Sequence, residues 1–253
     1  MNAKKIKEQL IKRYGAPAAF YRILFFIIGI CLIVPLFNCS SAQMLWLGPT
    51  EKNVIALTFD DGPNFEGSPA LLDILYEKGV KATFFVIGIE AEQNPDLVFR
   101  MSDFGHDVGN HTYNHIRMNS ASPKTSLEEI RMTNAVIESI TGVKPRFFRP
   151  PGGSCPPAVG SELKKMGMEM IGWTINAEDY TEFNENFEIE ENYQKLADDL
   201  AAKVLREARP GAIVLMHNGS KETLLALPKI IDGLRAQGYG FVTVSELTDK
   251  RAL

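Results

Sequence analysis

From Asn53 onward, short runs rich in β-branched and aromatic residues alternate with stretches of helical periodicity, and this alternation constrains the fold more than any other feature of the chain. Strands are predicted at 54–59, 82–87, 107–110, 146–149, 168–175, 212–217 and 241–244. Helical patterns start at Ser68, Asn94-Pro95, Thr125, Ser161, Glu190 and Glu222. Thr125 with Glu128 reads as a capping box, and Asn94 as an N-cap with proline at the first helical position. A βαβα order makes the strands parallel and puts helices outside them, in a sheet that is either open or closed into a barrel. In such folds the loops leaving the carboxyl ends of the strands converge on one face, so the polar residues that follow each strand are the candidates for chemistry.

Those residues form a coherent set. After the first strand come Asp60 and Asp61, and after the third His111-Thr112-Tyr113-Asn114-His115. Arg149-Pro150-Pro151-Gly152 follows the fourth, Asp179-Tyr180 the fifth, and His217 closes the sixth. Adjacent carboxylates repel, and one is pushed toward protonation unless a cation sits on the pair. His111 and His115 are spaced i, i+4, which on a helical turn places two imidazoles on one face at a separation a metal can bridge. The same spacing also occurs in surface or capping pairs. Asp61 as a third ligand completes a two-His-one-carboxylate site with open positions, suited to zinc-activated water chemistry, and Asp60 beside it becomes the candidate base. Without the histidines, Asp60-Asp61-Gly62-Pro63 would read as a turn cap. Arg149 is expected to orient Asp60 through a charge-assisted contact, and His217 to sit at the mouth of the sheet. His106, at a strand entrance, is expected to be structural rather than a ligand.

Length and composition set the frame. The 253 residues, 45% apolar, suit one domain with an appendage. The whole chain is at −4 and its first fifty residues at +5, so the remainder carries −9. An acidic domain without a lysine-rich stripe is poorly suited to nucleic acid. The basic head runs into an apolar stretch, 23–37, broken only by Gly29 and Pro35. It reads as an export signal or a membrane anchor over residues 20–38, putting the rest outside the cytoplasm in the extracellular space or cell envelope. Cleavage near Ser40-Ser41-Ala42, retention as an anchor, and lipidation at Cys39 all remain open. The expected organisation is therefore a head at 1–42, a linker at 43–52 and a catalytic domain at 53–248. Two of the three cysteines lie in the head, so the domain keeps only Cys155 and has neither an internal disulfide nor a cysteine-built zinc site. The Glu-rich stretch 182–191 reads as a solvated acidic loop.

Five segments in order resemble the motifs of the polysaccharide deacetylases of carbohydrate esterase family 4, the NodB homology domain. They are Thr58-Phe59-Asp60-Asp61-Gly62, His111-Thr112-Tyr113-Asn114-His115, Arg149-Pro150-Pro151-Gly152-Gly153, Asn176-Ala177-Glu178-Asp179-Tyr180 and Leu215-Met216-His217. The fourth departs from the usual Asp-x-x-Asp-Trp, with Asn176 and Tyr180 at its ends, and in the third Gly152 stands where an aromatic residue is commoner. The resemblance implies a distorted (β/α)7 barrel and a hydrolase acting on the acetamide of N-acetylated polysaccharides. It implies zinc, with cobalt and nickel as alternatives, on Asp61, His111 and His115. Asp60 is then the base, His217 the acid oriented by Asp179, and Gly152, Tyr180 and Leu215 contact the substrate. The substrate implied is N-acetylglucosamine or N-acetylmuramic acid of peptidoglycan, or a chitin-like glycan. The alternatives are an O-acetyl esterase or cyclic amide hydrolase on the same scaffold, and a membrane-tethered glycan-binding pseudoenzyme.

Overall fold

A computed structural model describes residues 43–49, 51–179 and 190–249. The N-terminal head, Tyr180 and most of the Glu-rich stretch lie outside the described residues. The eight strands are β1 (Val54–Gly62), β2 (Thr83–Val86), β3 (Asp107–Asn110), β4 (Phe147–Phe148), β5 (Glu169–Met170), β6 (Ile175–Asn176), β7 (Ile213–His217) and β8 (Gly240–Phe241). All seven ladders are parallel, in the order β5-β4-β3-β2-β1-β7-β6, with β8 paired to the start of β1. The helices are α1 (Ser68–Glu77), α2 (Gly88–Gln93), α3 (Pro95–Asp103), α4 (Pro123–Thr141), α5 (Pro157–Lys165), α6 (Glu190–Glu207), α7 (Lys221–Ala236) and α8 (Val244–Thr248). The sheet curls into the distorted barrel that the motifs implied.

The period of two in each strand sorts side chains into two layers. Ile55, Leu57 and Phe59 of β1, Phe84 and Val86 of β2, and Val214 and Met216 of β7 point outward and join Leu71, Leu72, Leu75, Leu227, Ile230, Ile231 and Leu234 of the helices in one buried cluster. Ala56, Phe85, Phe147, Ile171 and Ile213 point inward and pack with Val244 and Leu247 of α8. Continuing the inward rows toward the carboxyl ends brings Thr58 and Asp60 on β1, His111 past β3, Arg149 past β4, and Leu215 and His217 on β7. The site is thus an extension of the barrel's inner face, and Asp60 and His217 are direct cross-strand partners.

Several elements differ from the sequence reading. The stretch 168–175 is two strands, because β5 pairs only with β4 and β6 only with β7, and Gly172-Trp173-Thr174 cross between them. The seam this leaves is filled by the start of the described chain, in the segment read as a linker. Leu45 N–H donates to Met170 (2.8 Å), Gly172 N–H to Leu45 (2.7 Å) and Gly48 N–H to Gly211 (2.9 Å). Residues 44–48 thus behave as part of the sheet. The run 241–244 leaves β8 at Phe241 and enters α8, where Thr243 and Glu246 form a true capping box. At α4 the cap is Ser122, whose Oγ accepts from Thr125 N–H ahead of Pro123, so Thr125 and Glu128 do not form one. Asn94 does precede Pro95 at the start of α3, but its side chain makes no capping bond. The short α2 was not foreseen, and α5 begins at Pro157, ahead of Ser161.

One contact ties the fold to the site. Asn64 and Ser68 clamp the loop after Asp61 to the loop after His217, through Asn64 Nδ2 to Asn218 O (2.8 Å) and Ser68 Oγ to Asn218 Oδ1 (3.0 Å). Gly67 lies where these loops touch, and a Cβ there would stand 2.1 Å from the Gly219 Cα. Backbone cannot swing aside as a side chain can. Gly67→Ala is therefore expected to destabilise the protein by roughly 1–3 kcal/mol, read as a lowered midpoint in urea unfolding with an unchanged slope.

Candidate metal centre and active site

Asp61 Oδ1 lies 3.3 Å from His111 Nε2 and 3.1 Å from His115 Nε2. The ligating atoms of the three residues all fall within 4.8 Å of one another. The tautomer of His111 follows from its other nitrogen, because Nδ1 is 2.7 Å from the Arg149 carbonyl, which only accepts. Nδ1 therefore carries the hydrogen, and the Nε2 lone pair faces the Asp61 carboxylate. Two lone pairs turned toward each other repel unless a cation lies between them, and Asp61 Oδ1 is buried without a hydrogen bond. Burial pushes the Asp61 carboxyl up, but its contacts with the His111 and His115 rings outweigh it and hold the group well below the usual carboxylate range, so it stands as an anion. An anion with two imidazole donors and open positions fits a zinc-like divalent cation.

The two histidines do not sit on a helical turn. Residues 111–115 form a loop in which Thr112 (φ 66°) and His115 (φ 54°) are left-handed, so the i, i+4 spacing converges through loop geometry. Glu129 on α4 holds that loop, accepting from Tyr113 N–H (3.0 Å), Asn114 N–H (2.7 Å) and Asn114 Nδ2 (2.7 Å). Glu129 is not among the residues expected from the sequence. Its signal was a charge on the buried face of α4, in line with Ser126, Ile130, Thr133 and Ile137. Glu129→Ala leaves three donors without their acceptor, and cation affinity is expected to fall about 10- to 100-fold in competition with a chromophoric chelator.

Asp60 and Arg149 form a fully sequestered pair. Arg149 is 0% exposed and donates from Nη1 to Asp60 Oδ1 (2.7 Å) and Thr58 Oγ1 (2.8 Å). Its Nη2 and Nε donate to the carbonyls of Gly172 (2.8 Å) and Ile171 (3.3 Å), and its guanidinium lies 4.2 Å from the Phe85 ring centroid. The expectation that Arg149 contacts Asp60 holds, and the contact is in the barrel interior. With Oδ1 neutralised by arginine, Asp60 turns Oδ2 toward His111 Nε2, 3.8 Å away.

Across the site His217 Nδ1 is 2.7 Å from Asp179 Oδ1, while Asp179 Oδ2 accepts from His217 N–H (2.6 Å) and from Thr223 Oγ1. Burial lowers the imidazole pKa, but Asp179, hydrogen-bonded and negative, outweighs it and raises the group to about 8. Thr223 escaped the sequence reading, lying 44 residues from Asp179 in the first turn of α7. Asn176 accepts from Glu178 N–H (2.9 Å), so its amide shapes the turn that delivers Asp179. Leu215 is buried on the inner face of β7, Gly152 is exposed and left-handed (φ 70°), and Tyr180 is outside the described residues.

The remaining candidates have structural environments. His106 lies at the amino end of β3, where Nδ1 accepts from Ala82 N–H (3.0 Å), and burial together with Lys81 pushes it down to about 4. It is neutral and separated from the ligand loop by the length of β3, as expected for a structural residue. Cys155 is free, and burial pushes its thiol up to about 11, which leaves little thiolate at neutral pH.

A parallel barrel carrying an Asp-His-His donor set between an arginine-held carboxylate and a carboxylate-held histidine is the plan of the polysaccharide deacetylases, and the chain belongs to that family. The polysaccharide deacetylase family model matches residues 47–171. The peptidoglycan-N-acetylglucosamine deacetylase PgdA of Listeria monocytogenes is 39% identical over 193 residues, covering 76% of this chain and 38% of the relative, so the chain spans well under half of that protein. A peptidoglycan-N-acetylglucosamine deacetylase of Bacillus cereus is 36% identical over 210 residues, covering 82% and 93% respectively. Among solved structures, a CE4 family pseudoenzyme from Bacillus anthracis superposes with a TM-score of 0.73 at 32% identity, covering 83% of this chain and 70% of that one.

Proposed function

We propose that the chain hydrolyses the acetamide of N-acetylated sugars in a cell-envelope glycan, with peptidoglycan as the favoured polymer. One observation carries the reading: the Asp60–Arg149 and His217–Asp179 pairs flank the three ligands, so a proton acceptor and a proton donor stand on either side of one reaction centre. A glycan-binding module needs no such pair. The substrate reading leans on the peptidoglycan deacetylases to which the chain is similar.

A divalent cation held by Asp61, His111 and His115, zinc by its donor set, would acidify water and polarise the acetamide carbonyl. Asp60 accepts the proton lost by water as the water oxygen bonds to the carbonyl carbon, and Arg149 keeps that carboxylate aimed. The Gly152 N–H supports the oxyanion. The carbon–nitrogen bond then breaks as His217 delivers a proton from Nε2 to the departing nitrogen, its Nδ1 being committed to Asp179. Acetate and a free amino sugar result. The basic, apolar head supports a role outside the cytoplasm, with residues 20–38 as signal or anchor.

Acetate release by the full-length chain in detergent tests this, with N-acetylglucosamine oligomers and peptidoglycan as substrates, before and after chelation and zinc addition. Release that chelation stops and zinc restores is the expected result. A zinc-loaded protein that binds glycan but releases no acetate from any amide or ester would turn the assignment toward the pseudoenzyme class.

A further inference from the structure

The ligand-bearing loop after β3 and the loop after β4 are joined at two points, His111 Nδ1 to the Arg149 carbonyl (2.7 Å) and Asn119 Nδ2 to Ser154 Oγ (2.8 Å). Between these ties lie Arg117, two residues beyond His115, and Gly152, three beyond Arg149. A Cβ on Gly152 would stand 3.9 Å from Arg117 Nε and meet nothing nearer, so the guanidinium borders the space left by the absent side chain. Gly152 and Gly153 are both left-handed (φ 70° and 71°), and the second is backed by the Trp173 ring, 2.5 Å from where its Cβ would be. The result is an open, flat floor with an arginine along one edge.

Arg117 is exposed, and among the described residues its side chain has neither an ion pair nor a hydrogen bond. An exposed arginine alone says little, but its electrostatic setting says more. The site gathers the carboxylates of Asp60, Asp61 and Asp179, while the other arginine of the centre, Arg149, is consumed by Asp60. Each of those carboxylates is turned to a partner of its own, Asp60 to Arg149, Asp179 to His217 and Asp61 to the cation site, so none of them neutralises Arg117. The planar fork of a guanidinium matches a carboxylate through two parallel hydrogen bonds.

We propose that Arg117 is a specificity-determining residue that binds a carboxylate carried by the glycan beside the acetamide being cleaved. This rests on the deacetylase reading above and adds the chemical class of substrate, an acidic N-acetylated glycan in preference to a neutral one. Two sources offer the same chemistry, a carboxyalkyl ether on the sugar itself and the carboxylates of an attached peptide.

The full-length, zinc-loaded chain and its Arg117→Ala and Arg117→Lys variants are titrated calorimetrically with four ligands. These are a neutral N-acetylglucosamine oligomer, peptidoglycan strands freed of peptide and so bearing the lactyl carboxylate, the same strands with that carboxylate amidated, and peptide-bearing strands. Wild type is expected to favour free-acid strands over amidated ones by on the order of tenfold, as a charge-assisted contact supplies. Arg117→Ala should erase that preference and leave the neutral oligomer unchanged, with Arg117→Lys retaining part of it. Preference for the lactyl-bearing or the peptide-bearing strands identifies the source. Equal binding of free-acid and amidated strands by wild type overturns the proposal without any variant, as does an equal loss on all ligands in Arg117→Ala. Acetate release measured in the same samples reports separately on the deacetylase reading, since the binding comparison stands whether or not turnover occurs.

Discussion

Asp60→Asn is expected to lower acetate release by about a thousandfold, the middle of the range for a positioned acid or base, with zinc affinity nearly unchanged. The asparagine carbonyl can still accept from Arg149 Nη1 at the position Asp60 Oδ1 holds, so the buried guanidinium keeps a partner and the fold survives. What disappears is the basic oxygen turned toward His111 Nε2. Affinity is spared because the donor atoms of the cation site belong to Asp61, His111 and His115. The variant should therefore bind zinc and glycan, unfold near the wild-type midpoint, and turn over at a residual rate. A kcat within tenfold of wild type, with zinc bound, would remove Asp60 from the base role.

His217→Ala should cost a comparable factor, about 10²- to 10³-fold in kcat, again with cation binding intact. The pH profile makes the test sharper. Asp179 holds His217 near pKa 8 against the opposing pull of burial, so the protonated donor is present below that pH and lost above it. The wild-type kcat/KM is expected to fall as pH rises through the His217 pKa, which lies at or below about 8 once a cation offsets the Asp61 charge that helps to raise it. Asp179→Asn removes the group that raises the pKa while burial remains, so the same limb should move to lower pH. The kinetic pH profile of the two proteins, recorded with saturating zinc, checks this. A falling limb at the same pH in Asp179→Asn as in wild type would mean that another group donates the proton.

Much of this centre could be read in the linear sequence because it follows the period of two. Once β1 is recognised, Asp60 must continue the row of Ala56 and Thr58, and once β7 is recognised His217 must continue that of Ile213 and Leu215. The groups that escaped are those whose meaning lies in a distant partner. Glu129 is an ordinary glutamate until the loop 15 residues upstream folds onto it, and Thr223 is an ordinary first-turn threonine until Asp179 arrives. The caps failed for a different reason. Thr125-x-x-Glu128 and Thr243-x-x-Glu246 fit one pattern, and what separates them is Pro123, which fixes the start of α4 two residues ahead of Thr125. The run 168–175 misled because a seam in a barrel cannot be seen from apolar content alone. Its eight residues are apolar enough for one strand, yet they serve two ladders on opposite sides of a gap.

That gap has a consequence for how the protein comes into being. Leu45 bridges to Ile171 and Leu47 to Ala212, partners 126 and 165 residues further along the chain. One edge of β1 likewise waits for β7, since Thr58 pairs with Leu215 there. The first residues of the domain to leave a ribosome are thus among the last to find their places, and contacts of such long sequence separation form slowly because the chain entropy of closing the loop must be met first. An incomplete chain has no local substitute for those pairings. The ladders β1–β2 and β2–β3 can form early in synthesis, but the barrel closes only once residues 171 and 212–217 have been made.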